Sequence, residues 1–166
     1  FFQKPLEGID TLYSCRKFWG VSDGAYLSTE AQLTENNIPD YSAERMKHIL
    51  GRYEQDAGTY YKDMLANAAK YDGMEIRQMS GHTQNLLKAV DYDSAKERRE
   101  QNYQILRELL PSENIFNEII PEGPFAYPYF HTNGPELRRR LAAKKIFVPT
   151  YWKNIIENCE KNSLEY

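Results

Sequence analysis

Residues 13–27 read Tyr13-Ser14-Cys15-Arg16-Lys17-Phe18-Trp19-Gly20-Val21-Ser22-Asp23-Gly24-Ala25-Tyr26-Leu27, and the fold turns on this stretch. Its two flanks, Thr11 to Cys15 and Gly24 to Thr29, read as short strands. Gly20 and the Asp23-Gly24 pair between them are turn signals. Lys17 therefore falls on a loop between two strands, beside Arg16 and the aromatic pair Phe18-Trp19. Desolvation and a neighbouring cation both disfavour an ammonium. A lysine in that setting can attack a carbonyl and form a Schiff base. Ser14 and the turn amides are placed to hold an anionic group nearby. The bland alternative is a surface lysine with a solvated head, since a lone S-x-x-K is a weak motif.

Working outward, residues 30–40 are polar and end at Pro39-Asp40, which reads as a linker. Beyond it, Met46, Ile49, Leu50, Tyr53, Ala57, Tyr60, Tyr61, Met64, Leu65 and Ala68 recur at three- and four-residue steps. That spacing predicts one long helix over 42–70 with Ser42 as N-cap. Gly51 and Gly58 interrupt the stripe and mark a bend or a close approach. Asp72-Gly73 ends it. Ser80 is expected to cap a shorter helix carrying Leu86 and Leu87, and Asp93 or Ser94 the next, with Tyr103, Ile105, Leu106 and Leu109. Ile119-Ile120, residues 125–131 and Ile146-Phe147-Val148 read as strands, with Pro128 implying an edge or a bulge. Asn133-Gly134-Pro135 opens a helix over 135–145. The order from 125 to 148 is thus β-α-β, and a last helix carries Trp152, Ile155 and Ile156.

Composition narrows the function classes. Lys and Arg number 21 against 24 Asp and Glu, a net charge of −3, which argues against nonspecific nucleic-acid binding. No apolar run approaches the ~20 residues of a membrane helix. Cys15 and Cys159 make neither a disulfide framework nor a zinc pair. The 13 tyrosines suit interfaces and polar-ligand clefts. His48 and His82 fall on helical stretches, His131 on the aromatic strand, with no metal-ligand spacing. Arg138-Arg139-Arg140 point in different directions on one helix; covering apolar surface and binding phosphate are the two readings. The chain starts Phe1-Phe2 with no initiator Met or signal segment, so a piece of a longer cytoplasmic protein is expected.

The stretch from Tyr13 to Leu27 resembles the cofactor-lysine segment of the DegT-type aminotransferases, which have the aspartate-aminotransferase fold. In that family the lysine is followed by a short loop, an acidic-plus-glycine turn and an apolar strand. Lys17, Asp23-Gly24 and Ala25-Tyr26-Leu27 stand in that order. Arg98-Arg99-Glu100 through Leu109 is similar to the family's C-terminal-domain helix, and Leu137 to Pro149 to its helix-then-strand unit. Pro149-Thr150-Tyr151-Trp152 resembles the turn that follows. The spacing Ser14-x-x-Lys17 is shorter than in many members, and Ala25 stands at a usual glycine.

The resemblance implies an α/β fold: the C-terminal part of a pyridoxal-phosphate-dependent transferase, the end of the large-domain sheet plus an α+β small domain. Residues 1–40 would be the remnant of the large cofactor-binding domain. Residues 41–166 would be the interdomain helix and the small domain. It implies Lys17 as the catalytic, cofactor-bearing residue, Ser14 as a phosphate ligand, and Tyr151 and Trp152 on the substrate side, with no metal. The cofactor would be pyridoxal 5'-phosphate. The amino donor would be an amino acid, glutamate above all, and the acceptor a keto sugar, nucleotide-linked. A homodimer is implied, with no nucleic-acid or membrane partner. The alternatives are a degenerate member acting as a dehydratase or regulator, and a non-catalytic interaction domain whose tyrosines over 53–61 bind a partner.

Overall fold

The computed structural model describes residues 1–34, 38–110, 114–151 and 154–162. They form a mixed α/β arrangement in two units. One comprises Phe1–Leu110 and Ile119–Tyr127, the other Pro111–Glu118 and Pro128–Tyr166.

The first unit begins with the hairpin. Strand β1 (Thr11–Ser14) pairs antiparallel with β2 (Ala25–Ser28), with Leu12 opposite Leu27 and Tyr13 opposite Tyr26. Cross-strand partners share a face. Phe1 packs edge-on against both Tyr13 and Tyr26, whereas Leu12 and Leu27 are left exposed. Cys15, Val21 and Leu87 form the buried centre, with Phe1, Trp19 and Met79 packed on it. Rings continue outward: Trp19 meets Tyr92, and Phe18 meets Phe125.

The predicted long helix is two. Helix α1 spans Lys47–Glu54 and α2 spans Tyr61–Ala69. Between them Asp56 accepts hydrogen bonds from the backbone N–H groups of Gly58 and Thr59, a local competitor to helix propagation. The chain then folds back so that the Tyr60 ring lies on Gly51, where any Cβ would overlap it. Lys47 Nζ reaches Asp63 at 2.8 Å across the pair. One apolar stripe serves a straight helix and two packed pieces equally well, which is why periodicity could not separate them. Ser42 precedes a 3₁₀ turn, Ala43–Arg45, and makes no side-chain capping bond.

Helix α3 (Gly81–Lys88) is capped as expected, Ser80 Oγ accepting from the Thr83 N–H. Helix α4 (Tyr92–Leu109) starts earlier than expected, because Asp91 is its cap and accepts from the Ser94 N–H. No described helix is long and apolar enough to cross a membrane.

The strands expected at 119–120, 125–131 and 146–148 do not form among the described residues. Side chains take the place of a ladder there. Tyr103 Oη donates to the Ile119 carbonyl at 2.8 Å, Arg99 Nη1 to the Pro124 carbonyl, and the Gly123 N–H donates to Glu100. In the second unit Asn114 donates to the Pro128 carbonyl and accepts from the Phe130 N–H, as a neighbouring strand would. Helix α5 (Gly134–Ala143) is capped by Asn133 and is followed by a reversal, not a strand. Lys145 adopts φ 60° and the Ile146 N–H donates to the Leu141 carbonyl. The β-α-β unit is therefore absent, and the sheet of the described residues is β1-β2 alone. Helix α6 (Ile155–Asn158) is short.

Candidate functional site

Lys17 closes the 3₁₀ turn Cys15–Lys17 that leaves β1. The turn is tight because two N–H groups, of Phe18 and Trp19, donate to the Cys15 carbonyl. The Cys15 N–H donates to the Gly24 carbonyl at 3.1 Å and closes the loop at its other end. Buried Cys15 and Val21 pull the loop into the core, and Arg99 Nη2 donates to the Phe18 carbonyl from α4. The backbone carrying Lys17 is thus held on every side.

The Lys17 side chain itself is exposed and has no hydrogen-bond or ion-pair partner among the described residues. Its sequence neighbours are directed elsewhere. The Arg16 guanidinium lies 4.7 Å from the centre of the Tyr71 ring. Phe18 is packed between Phe125 and the Arg99 guanidinium. Trp19 packs on Phe1 and Tyr92. The desolvating shell expected from Arg16 and the two aromatics does not surround the amine, because those groups are drawn to larger apolar and ring contacts. Ser14 is half-buried at the end of β1, and its hydroxyl makes no capping bond. Tyr151 is exposed in the second unit. Trp152 lies outside the described residues.

Near the loop lies a buried polar network centred on Asp23, which is 3% exposed. Its carboxylate accepts from the Ser80 N–H at 3.0 Å, from Ser80 Oγ at 2.8 Å and from Ser22 Oγ at 3.1 Å. Arg45 Nη2 stands 3.7 Å away and also pairs with Asp40 through both terminal nitrogens. Burial works against the Arg45 charge, but the hydrogen bond and carboxylate of Asp40, with Asp23 behind it, hold its pKa above the ordinary arginine value. Tyr71 Oη donates to the Ser22 carbonyl at 2.7 Å, and its ring faces both Arg16 and Arg45. Burial raises the Tyr71 pKa in spite of those cations, so it acts as a neutral donor. With its lone pairs engaged, Asp23 is a clamp and not a general base.

Gly24 completes the clamp. Its φ of 98° is one that L side chains rarely adopt, and a Cβ there would strike Met79. The Asp23-Gly24 pair thus reaches a helix start some sixty residues on. In the sequence the pair is a turn signal and Ser80 a cap; nothing local links them, and no periodicity marks Arg45 as buried.

Cys15 is not a nucleophile. Burial, with the Asp23 charge behind it, pushes its thiol pKa up to about 11, and the thiolate is the reactive form. Among the described residues no group of His, Cys, Asp or Glu could hold a metal ion. His131 is exposed and accepts from the Asn133 N–H through Nδ1. His48 is buried on α1.

No family model matches the chain, no curated protein matches it, and no solved structure matches it.

Proposed function

We propose that this chain is the lysine-bearing part of a cytoplasmic, homodimeric pyridoxal-phosphate-dependent aminotransferase of the DegT type. It would move an amino group from an amino acid such as glutamate to a nucleotide-linked keto sugar. The observation that carries the reading is the presentation of Lys17. Its amine is exposed, without a partner among the described residues, on a turn whose backbone is anchored at Cys15, Phe18 and Asp23, in the residue order of a cofactor-lysine segment.

The residues around Lys17 fit that cofactor in one respect only. They supply a primary amine and, three residues away, the Ser14 hydroxyl. Among the described residues they supply no wall for its ring and, beyond the Ser14 hydroxyl, nothing for its phosphate. Neither the cleft around Pro5, Glu7 and Asp10 nor the one around Arg138 and Phe147 includes Lys17 or Ser14. No step of the reaction is therefore assigned to these residues alone, and the reading requires a second surface laid against the hairpin. The exposed Leu12–Leu27 pair supports that requirement.

The test is covalent trapping in the intact protein. After incubation with pyridoxal phosphate and reduction with borohydride, peptide mass mapping reads which lysines are labelled. Lys17 is expected to label ahead of exposed lysines such as Lys62 and Lys88, and the label is expected to vanish in Lys17→Ala. Labelling spread evenly over the exposed lysines would overturn the assignment. It would favour the second reading, a non-catalytic interaction domain. One observation already supports that reading: Tyr41 and Tyr53 are 81% and 91% exposed, each presenting a polar-tipped aromatic ring.

A further inference from the structure

In the second unit, α5 and the segment that reverses after it wall a cleft of about 640 Å³, the size of a small-molecule site. The reversal builds it. Lys145 in the left-handed region turns the chain, and the Lys144, Lys145 and Ile146 N–H groups donate back to Leu141 and Ala142. Residues 146–148 then run back along α5 instead of away from it.

The walls have two characters. Ala142, Phe147 and Val148 are apolar, and the Phe147 ring is 70% exposed. Arg138 and Arg139 are cationic, and among the described residues no acidic one lines the cleft. The two guanidiniums are not equivalent. Arg139 donates through Nε and Nη2 to the two carboxylate oxygens of Glu136, both at 2.9 Å, so its charge is answered. Arg138 donates through Nε to the Val148 carbonyl at 3.1 Å. That bond fixes the plane of its guanidinium. Both of its terminal nitrogens are left without a partner among the described residues. A planar fork whose terminal Nη1–Nη2 edge is free is the group that matches a phosphate or carboxylate in a bidentate fashion.

We infer that this cleft binds a small organic anion, with its phosphate or carboxylate on the Arg138 fork and a flat apolar body on Phe147. The volume is that of a compact molecule. The charge is complementary to an anion, because Arg139 is paired with Glu136 and Arg138 has no acidic partner among the described residues. The exposed ring explains why an apolar body and not a bare ion is the fitting occupant. Whether Lys17 bonds an aldehyde has no bearing on what this cleft takes.

The experiment titrates the full chain with phenyl phosphate, benzoate, inorganic phosphate and phenol. Affinity is read by calorimetry and location by the NMR signals of Arg138 Nε–H and the Phe147 amide. Phenyl phosphate or benzoate is expected to shift both signals saturably and to bind at least about tenfold more tightly than inorganic phosphate or phenol. The tighter of the two identifies the anion. Arg138→Gln is expected to weaken binding at least about tenfold, Phe147→Ala at least about threefold, and Arg139→Gln by less than either. Arg138→Lys keeps the charge without the fork and is expected to fall between wild type and Arg138→Gln, which guards against a folding defect in the latter. Equal affinity for inorganic phosphate and phenyl phosphate would overturn the proposal. So would unchanged binding in Arg138→Gln, or an acidic peptide that binds the cleft more tightly than either aromatic anion.

Discussion

Replacing Asp23 by Ala should unfasten the Lys17 loop from the start of α3. The carboxylate accepts three hydrogen bonds, two from Ser80 and one from Ser22, and faces Arg45 at 3.7 Å. Hydrogen bonds to a charged group contribute about 1.5–3 kcal/mol each. Two of the three donors are hydroxyls that can rotate toward other acceptors; the Ser80 N–H cannot. Ser22 and Ser80 are almost fully buried, so water does not readily replace the lost acceptor. Arg45 keeps Asp40. Weighing these, the cost is about 3–4 kcal/mol, at the lower edge of the range for breaking a buried charged pair. Asp23→Asn keeps one carbonyl oxygen for the Ser80 N–H and loses an acceptor for a hydroxyl, so it should cost about 1–2 kcal/mol. At about 2–4 °C per kcal/mol for a chain of this size, Asp23→Ala should lower Tm by roughly 6–16 °C. The assay is urea and thermal unfolding at pH 7 followed by far-ultraviolet circular dichroism. A loss below about 0.5 kcal/mol in Asp23→Ala, the size of an ordinary surface substitution, would refute the clamp.

Two other outcomes follow from burial. With its thiol pushed up to about 11, Cys15 should resist iodoacetamide in the folded protein at pH 8 and react after unfolding. Cys159, which is partly exposed, should react first; equal rates by mass spectrometry would contradict the buried position of Cys15. Burial, with Arg52 and Arg16 adding to it and a backbone hydrogen bond to Arg45 opposing it, lowers the His48 pKa. The sign follows directly. A depressed folded pKa means that the stabilisation is complete above the ordinary value near 6.5 and is lost as pH falls below it toward the folded value. Tm measured from pH 7.5 to 5 should therefore fall, and the fall should be shallower in His48→Gln; identical slopes would remove His48 from the account.

Local chemistry was readable in advance wherever one short segment decides the outcome. The hairpin at Thr11–Ser14 and Ala25–Ser28 follows from apolar segments separated by turn residues. The Ser80 cap on α3 follows from a side chain three residues from its donor. The start of α4 is not fixed locally, because Asp91, Asp93 and Ser94 are all competent caps and only the approach of the chain selects Asp91. The strands expected at 119–120, 125–131 and 146–148 have suitable residues but no neighbouring strand among the described residues. Strand propensity is realised only against a neighbouring backbone, and here Tyr103, Arg99 and Asn114 answer the backbone groups first.

For the candidate site the division is sharper. That Lys17 stands on a loop between two strands is written in residues 11–28. What surrounds its amine is not, because Arg16, Phe18 and Trp19 each had several possible neighbours. Tyr71, Phe125 and Phe1 come from distant parts of the chain. The Asp23–Ser80 bond spans 57 residues and the Arg99–Phe18 bond 81, distances over which sequence pattern carries no pairing information. Composition, turns and caps act through nearest neighbours and so belong to the sequence itself. The Asp23 clamp exists only once remote segments meet, since burial and charge pairing are properties of the assembled chain.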